Sequence, residues 1–367
     1  MRLSMWAKTS LALLATATPA VLAMFRFDCF NNLVVDRVDP IVNLGAASGH
    51  LHAISGGNGF SKNADGAAMK ASTCTSCPIG ADLSAYWVPQ LYVKFKNGTG
   101  YGLVESHQIV YYEPRPTGDE KVIAFPDGLK MLAGNPKLRE EGESIEQKAI
   151  TWVCLDYENS HPEQQGIPDF KCPNGLRGQV NFPMCWDGKN LDSPDHKSHV
   201  AVAQYDEEWD GDEHPFVLAN GDRTGFGFHG DFLNGWDHDV LQAAVDQCAD
   251  KNYFNSGECA PLSASFSDKA PETRCTTQPE IVEDIMVVSK LPGNNPVDGD
   301  IVTPTGSSAS SSGSSARSVE TNSPTPAPEA AEDKNSVAGE ADITSSAPKS
   351  TSSSTTDANC KTKTRRG

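Results

Sequence analysis

Positive charge is what this sequence has least of. Lys and Arg total 30 against 48 Asp and Glu, a formal net charge of −18. With no basic field to neutralise phosphates, nucleic acid is excluded as a partner. An acidic exterior suits solubility and neutral or cationic ligands. Long apolar runs are missing too. Residues 11–22 form the longest, well short of the roughly 20 residues that span a bilayer. The C-terminal CKTKTRRG has no hydrophobic tail of the kind a lipid-anchor signal requires. Neither a membrane span nor a lipid anchor is expected.

Catalytic signatures are equally scarce. There is no GxSxG elbow for a serine hydrolase, no HExxH helix, and no glycine loop cradling phosphate or dinucleotide between a strand and a helix. Cys74-Thr-Ser-Cys77 lacks the βαβ setting of a redox motif, and no second CxxC follows to complete a zinc cluster, so these are read as two half-cystines on a loop. The copper polysaccharide monooxygenases of fungi use a mature N-terminal histidine, and the mature start expected here is Met24-Phe-Arg. Carboxylate pairs for glycoside hydrolysis stay eligible among Asp187, Asp192, Asp231 and Asp237.

What is present begins with a secretory signal over residues 1–23. Arg2 and Lys8 precede the apolar stretch, and Val21-Leu22-Ala23 places small residues for cleavage before Met24. All ten cysteines follow it, an even count in an oxidising compartment, so disulfides are expected. Cys172 and Cys185 flank a glycine-rich turn and suggest a local pair. Cys360 stands apart, either bonded back to the odd partner, free, or paired between chains. Asn97-Gly-Thr99 is the sole N-glycosylation sequon and falls in a turn between strands.

The body is read as mainly β, an antiparallel sandwich or jelly-roll-like single domain over residues 24–291 with long loops. YWVPQLYVKF (86–95), HQIVYYEP (107–114), KVIAFP, AITWVCL (149–155) and SHVAVA are short runs rich in Val, Ile, Tyr and Trp, bounded by Gly, Pro, Asn and Asp. One helix stands out, DHDVLQAAVDQCAD, with Leu241, Ala244, Val245 and Cys248 on one face and Asp237 or Asp239 as cap. Residues 292–367 are Ser/Thr/Pro/Ala tracts that cannot bury enough surface to fold and read as an O-glycosylated stalk.

Three constellations carry possible chemistry. In Ser48-Gly-His50-Leu-His52 the two histidines share a strand face, which suits copper or zinc, a pair of hydrogen bonds to a sugar, acid–base work, or two satisfied structural histidines. In Asp195-His196-Lys197-Ser198-His199, His199 opens a strand and is the natural third imidazole, with Asp192 and Asp195 as orienting carboxylates, or the whole is a solvated acidic turn. In GFGFHGDFLNGWD, His229 and Asp231 alternate on a glycine-rich loop. There Trp236 offers a face for a sugar ring, and Asn234 and Asp237 offer hydrogen bonds at its rim. Trp186 and Asp187 join them as substrate-binding candidates. The geometric expectation is that His50, His52, His199 and His229 converge on one site, with Asp231 beside them and Met131 as a distant soft ligand if copper binds.

DPIVNLGAASGHLHAISGGNGF, YWVPQLY, FPDGLKMLAGNP, NFPMCWDGKNLDSPDHKSHVAV and GFGFHGDFLNGW together resemble, in order over residues 39–248, a secreted fungal family catalogued as domain of unknown function nineteen-ninety-six. The resemblance implies an extracellular setting, in which some members carry an appended wall-binding WSC module, and it assigns no reaction. The reading is a monomeric secreted protein whose His/Asp/Trp cleft binds extracellular or cell-wall polysaccharide, with catalytic modification and a metal left open. The alternative is a non-catalytic wall-associated or effector-like binding protein.

Overall fold

Alternation decides the first element. In Met24–Cys29 (β1), Phe25, Phe27 and Cys29 are buried while Arg26 and Asp28 turn outward. The computed structural model describes residues 24–115, 121–198, 200–201, 215–248, 252–269 and 275–299. After β1 come β2 (Val34–Asp36), β3 (His52–Gly56), α1 (Gly66–Lys70), β4 (Ala85–Pro89), β5 (Leu91–Lys94), β6 (Tyr101–Leu103), β7 (Gln108–Tyr112) and β8 (Lys130–Gly134). Next are α2 (Ile145–Lys148), β9 (Ile150–Cys154), β10 (Leu176–Val180), β11 (Cys185–Trp186), β12 (Val200–Ala201) and β13 (Phe216–Leu218). The described chain closes with β14 (His229–Leu233), α3 (His238–Gln247), β15 (Asn252–Tyr253), α4 (Ala260–Ser263) and β16 (Val287–Val288).

The fold is mainly β, with several antiparallel sheets and short helices. An antiparallel five-stranded sheet, ordered β2-β3-β4-β14-β8, is central. A three-stranded sheet, β15-β1-β7, packs its inner face on one side of it. Phe25, Phe27 and Cys29 meet Tyr86, Met131 and Phe232 in a core that also takes Leu241 and Ala244 of α3. The opposite side of the central sheet carries Ile54, Trp87 and Leu233. It is covered by Val38, Ile41, Phe60 and Met69 from the segments after β2 and β3. A four-stranded sheet, β13-β5-β6-β16, and two two-stranded ribbons, β9-β10 and β11-β12, complete the arrangement.

Two segments differ from their sequence reading for identifiable reasons. Residues 86–95 are two strands in different sheets. Pro89 cannot donate to a ladder, and the Gln90 side chain turns the chain by donating to the Leu91 and Val104 carbonyls at 3.0 and 2.7 Å. KVIAFP pairs with no strand, because side chains satisfy its backbone: Ala124 N donates to Gln242 Oε1, and Asn234 Nδ2 donates to the Pro126 carbonyl. The helix forms as read, and Asp237 is its cap, accepting from Asp239 N and Val240 N. The packed structure also continues past residue 291, with Val297 buried beside Leu291 and Tyr92.

Disulfides join Cys29 to Cys77, Cys74 to Cys275, Cys154 to Cys172 and Cys248 to Cys259. The local pair suggested for Cys172 and Cys185 is therefore corrected. Cys172 closes onto the end of β9, which the β9-β10 ribbon holds against it, and Cys185 is disulfide-bonded elsewhere. Cys74 and Cys77 are half-cystines of two different bridges, as read. Cys360 lies outside the described residues.

Candidate metal centre

Strand register builds the site. His52 of β3 pairs with Pro89 of β4, while Trp87 pairs with Ile54 on one side and Asp231 of β14 on the other. Alternation along each strand therefore puts His52, Pro89, Trp87, Asp231 and His229 on one face of the central sheet. Pro89, which pairs with His52, lies in the strand between the two histidines. Their ring centroids are 6.2 Å apart. Gly134 stands opposite His229 in β8 with φ of +87°, and a Cβ there would come within 2.9 Å of His229 Cβ. It would also come within 2.6 Å of the Phe228 carbonyl, so only glycine lets β8 lie this close to His229. His50 arrives from the chain just before β3, its centroid 4.4 Å from that of His52 and 4.9 Å from that of His229.

Hydrogen bonds to carbonyls fix the tautomers. His52 Nδ1 lies 3.1 Å from the Val38 carbonyl and His229 Nδ1 lies 2.9 Å from the Gly227 carbonyl. A carbonyl only accepts, so each Nδ1 carries the proton and each Nε2 presents a lone pair. This outer-shell arrangement orients metal-binding histidines. His50 Nε2 is 3.0 Å from His229 Nε2. One ligand nitrogen from each of the three residues lies within 4.8 Å of the others, so the cluster can hold a metal ion. His52 Nε2, Trp87 Nε1 and Asp231 Oδ2 are buried without any hydrogen-bond partner.

The electrostatics keep the imidazoles neutral, the form that ligates. Burial pushes His52 down to about 3, with His229 adding to it. Burial likewise takes His229 to about 4, against the Gly227 bond and with Lys197 assisting. His50 is held far below the usual range by burial and by both neighbouring rings. Burial raises the Asp231 carboxyl well above the ordinary value, and the charge of Asp39 raises it further while Lys197 opposes. Asp39 is itself raised, chiefly by burial, although it accepts from Ile41 N and Val42 N. At the rim Asp192 bonds His196 at 2.7 Å and Lys130 at 3.2 Å, and Lys197 Nζ donates to the Gly134 carbonyl at 2.7 Å.

The sequence candidates are thus partly assembled. His50, His52 and His229 converge, and Asp231 follows His229 by two residues on the same face. His229 opens a strand and is not on a loop. His199 lies outside the described residues. Trp236 is corrected: it is 0% exposed, packed against Phe27 and Tyr112 with Nε1 donating to Tyr112 Oη at 2.7 Å, so it presents no face to a sugar. Asn234 is buried and holds the Pro126 carbonyl, and Asp237 spends its carboxylate on capping α3. Trp186 and Asp187 stabilise their own turn: Trp186 Nε1 donates to Asn190 O, and Asp187 accepts from Lys189 N and Asn190 N. Met131 faces the opposite side of the sheet, beside Phe232, because it sits one residue out of phase with Leu132 and Gly134. Asp39, Trp87, Pro89, Gly134 and Lys197 had no signal beyond lying within the family motifs or next to them.

Fold and site together define a disulfide-bonded, mainly β protein with a buried three-histidine cluster able to hold a metal ion. The chain belongs to the family described as domain of unknown function (DUF1996), whose model matches residues 39–210 and 201–236. That span includes Asp39, His50, His52, His229 and Asp231. No curated protein and no solved structure matches the chain. Among the described residues no helix is long and apolar enough to cross a membrane. The disulfides fit an oxidising, extracellular setting.

Proposed function

We propose that this is a secreted metalloprotein in which His50, His52 and His229 bind one Cu(II) or Zn(II) ion and act on an extracellular or cell-wall polysaccharide. The observation that carries the metal is His52 Nε2, a fully buried lone pair with no partner, aimed where two other neutral imidazoles meet. An orphaned buried acceptor costs about 1–3 kcal/mol, and a divalent cation removes that cost. Three imidazoles are the protein donor set of open, catalytic sites, whereas structural zinc takes four protein ligands. A bound ion would supply Lewis acidity, or redox chemistry if it is copper.

The residues around it have separable roles. Asp231, whose Oδ2 is buried without a partner on the same face of the sheet, is placed to hydrogen-bond a ligand hydroxyl. His50, the partly exposed member, faces the approach. Beside the centre a cavity of about 170 Å³ begins at Gly134 and Lys197 and is walled by Asn135, Gln147, Gln165 and Phe226. Glu140, Glu146, Leu138 and Ile150 also line it, a mix of polar groups and apolar surface able to hold a sugar unit. The second reading, a structural metal in a non-catalytic wall protein, is supported by the burial of two of the three ligands.

Elemental analysis of reconstituted protein, with His52→Ala beside it, tests the centre. One ion per chain in wild type, lost in the variant, is expected. Sub-stoichiometric metal overturns the metal reading. The loaded protein is then incubated with purified glucans, chitin and mannan. Metal-dependent release of soluble saccharides supports catalysis, and a full metal complement without products leaves the structural reading.

A further inference from the structure

We propose that the outer face of the β15-β1-β7 sheet is a second, non-catalytic binding surface for a neutral β-linked glycan. Its inner face is consumed by the core, since Phe25, Phe27 and Cys29 are buried. The residues between them face out. Arg26 pairs with Tyr111 and Asp28 with Ile109. On the other side of β1, Phe25 pairs with Tyr253 in parallel, so the next residues, Arg26 and Phe254, are neighbours. Tyr111, Arg26 and Phe254 thus form a row across three adjacent strands.

That row is held in place by its own contacts. The Arg26 guanidinium carbon lies 5.7 Å from the Tyr111 ring centroid and 5.4 Å from that of Phe254. Arg26 Nη1 donates to Tyr111 Oη at 3.0 Å and Nε to the Phe254 carbonyl at 3.4 Å. Two strand spacings separate the rings by about 10 Å, the span of two pyranose units in an extended β-linked chain. The same parity continues to Phe30 and His107, whose rings are 5.1 Å apart just past the ends of β1 and β7. Tyr111, Phe254 and Phe30 are 40, 60 and 49% exposed.

The chemistry of this face selects the occupant. Pyranose rings present axial C–H bonds that rest on the electron-rich face of an aromatic ring, while a fixed guanidinium donates to ring hydroxyls. Arg26 and Asp28 carry opposite formal charges on this face, which sum to zero on a chain of net charge −18. That balance fits an uncharged polymer and offers nothing to a polyanion. The histidine cluster is on the far face of the central sheet, two layers away, so polymer held here does not cover it. The substrate class is taken from the proposed function, and the surface itself is independent of the metal.

Depletion assays on insoluble cellulose, chitin, β-1,3-glucan and mannan test this with the full chain. Wild type is expected to be retained on a β-linked polymer. Tyr111→Ala/Phe254→Ala should weaken retention about tenfold or more, with thermal midpoint and metal content unchanged. Phe30→Ala gives a milder loss and guards against a folding defect in the double variant. Chelator-stripped wild type should be retained as well as metal-loaded wild type, which separates failure of this surface from failure of the centre. Absence of retention on every β-linked polymer overturns the proposal. So does equal retention of the double variant, or a dimer in sedimentation that the double variant dissolves, since that would make the face a contact between copies of this chain.

Discussion

His50 and His229 are 179 residues apart in the chain, yet their Nε2 atoms lie 3.0 Å from one another. Because the Gly227 carbonyl fixes the His229 proton on Nδ1, His229 Nε2 accepts, and without metal His50 supplies the proton between them. The same separation suits two ligands on one ion, and His50 would ligate through Nε2 with its proton moved to Nδ1.

Metal should therefore stabilise the fold measurably. Chelator-stripped protein given Zn(II) or Cu(II) at a hundred times Kd gains about 2.7 kcal/mol, read as a rise in thermal midpoint. His50→Ala should abolish the rise and also lower the metal-free midpoint modestly, because it leaves the buried His229 Nε2 without its donor. His52→Ala should lose the rise and lower the midpoint as well. A metal-induced rise that survives both substitutions would place the ion elsewhere.

Stability should depend on pH with two opposite signs. His52 and His229, at about 3 and 4 when folded against 6.5 ordinarily, are depressed. Their contribution is full above about 6.5 and is lost as pH falls through the folded values. Asp82 is raised to about 6, by burial first, against bonds from Tyr86 and Ser84. Its contribution is full below about 3.9 and is lost as pH rises through 6. In urea titrations Asp82→Asn should gain on wild type by up to about 3 kcal/mol between pH 4 and 7. The deficit of His52→Gln should shrink on acidification from pH 6.5. Difference curves flat in pH would show that these groups titrate alike in folded and unfolded chains.

Trp236 is a stability residue. Trp236→Ala should cost about 3–5 kcal/mol in denaturant unfolding, as for other large core truncations. Trp236→Phe should cost less, since it forfeits chiefly the bond to Tyr112. Either variant, while folded, should retain wild-type affinity for soluble oligosaccharides. A selective loss of sugar binding with stability intact would restore its reading as a stacking platform.

Local periodicity made part of this legible, and the rest is non-local. His229 with Asp231 at i and i+2 already implied a shared face. The α3 stripe and the Asp237 cap were readable for the same reason. His50, read as sharing a strand face with His52, instead lies in a bend before β3 and meets it from outside the strand. Nothing local says that β3 and β14 flank β4, so the meeting of His50 with His229 rests on pairings between distant segments. Trp236 sits among Asn, Gly and Asp, which reads as exposed loop, although a buried Tyr112 hydroxyl takes its N–H. Trp87, in an apolar run, reads as core, yet it lines the face that carries Asp231. Pro89 lay inside a run read as one strand, so its place beside His52 needed the register.

The four described disulfides differ in how much chain they close and how exposed they are, and the two properties lead to different measurements. Cys74 and Cys275 are 201 residues apart, and Cys248 and Cys259 only 11. In the chain-entropy account the first constrains the unfolded state by about 5 kcal/mol and the second by about 3. Paired Cys→Ser variants should order that way in guanidinium midpoints. A reversed order would mean that native packing around the short bridge outweighs loop entropy. Accessibility sorts the CxxC bridges differently, since Cys29 and Cys77 are buried in the main core while Cys74 is exposed. Mild reductant under native conditions should open Cys74–Cys275 first, and alkylation with peptide mapping should find Cys74 labelled while Cys77 is still oxidised. Labelling of Cys77 ahead of Cys74 would show that the core between the two packed sheets opens more readily than the surface bridge, which its burial argues against.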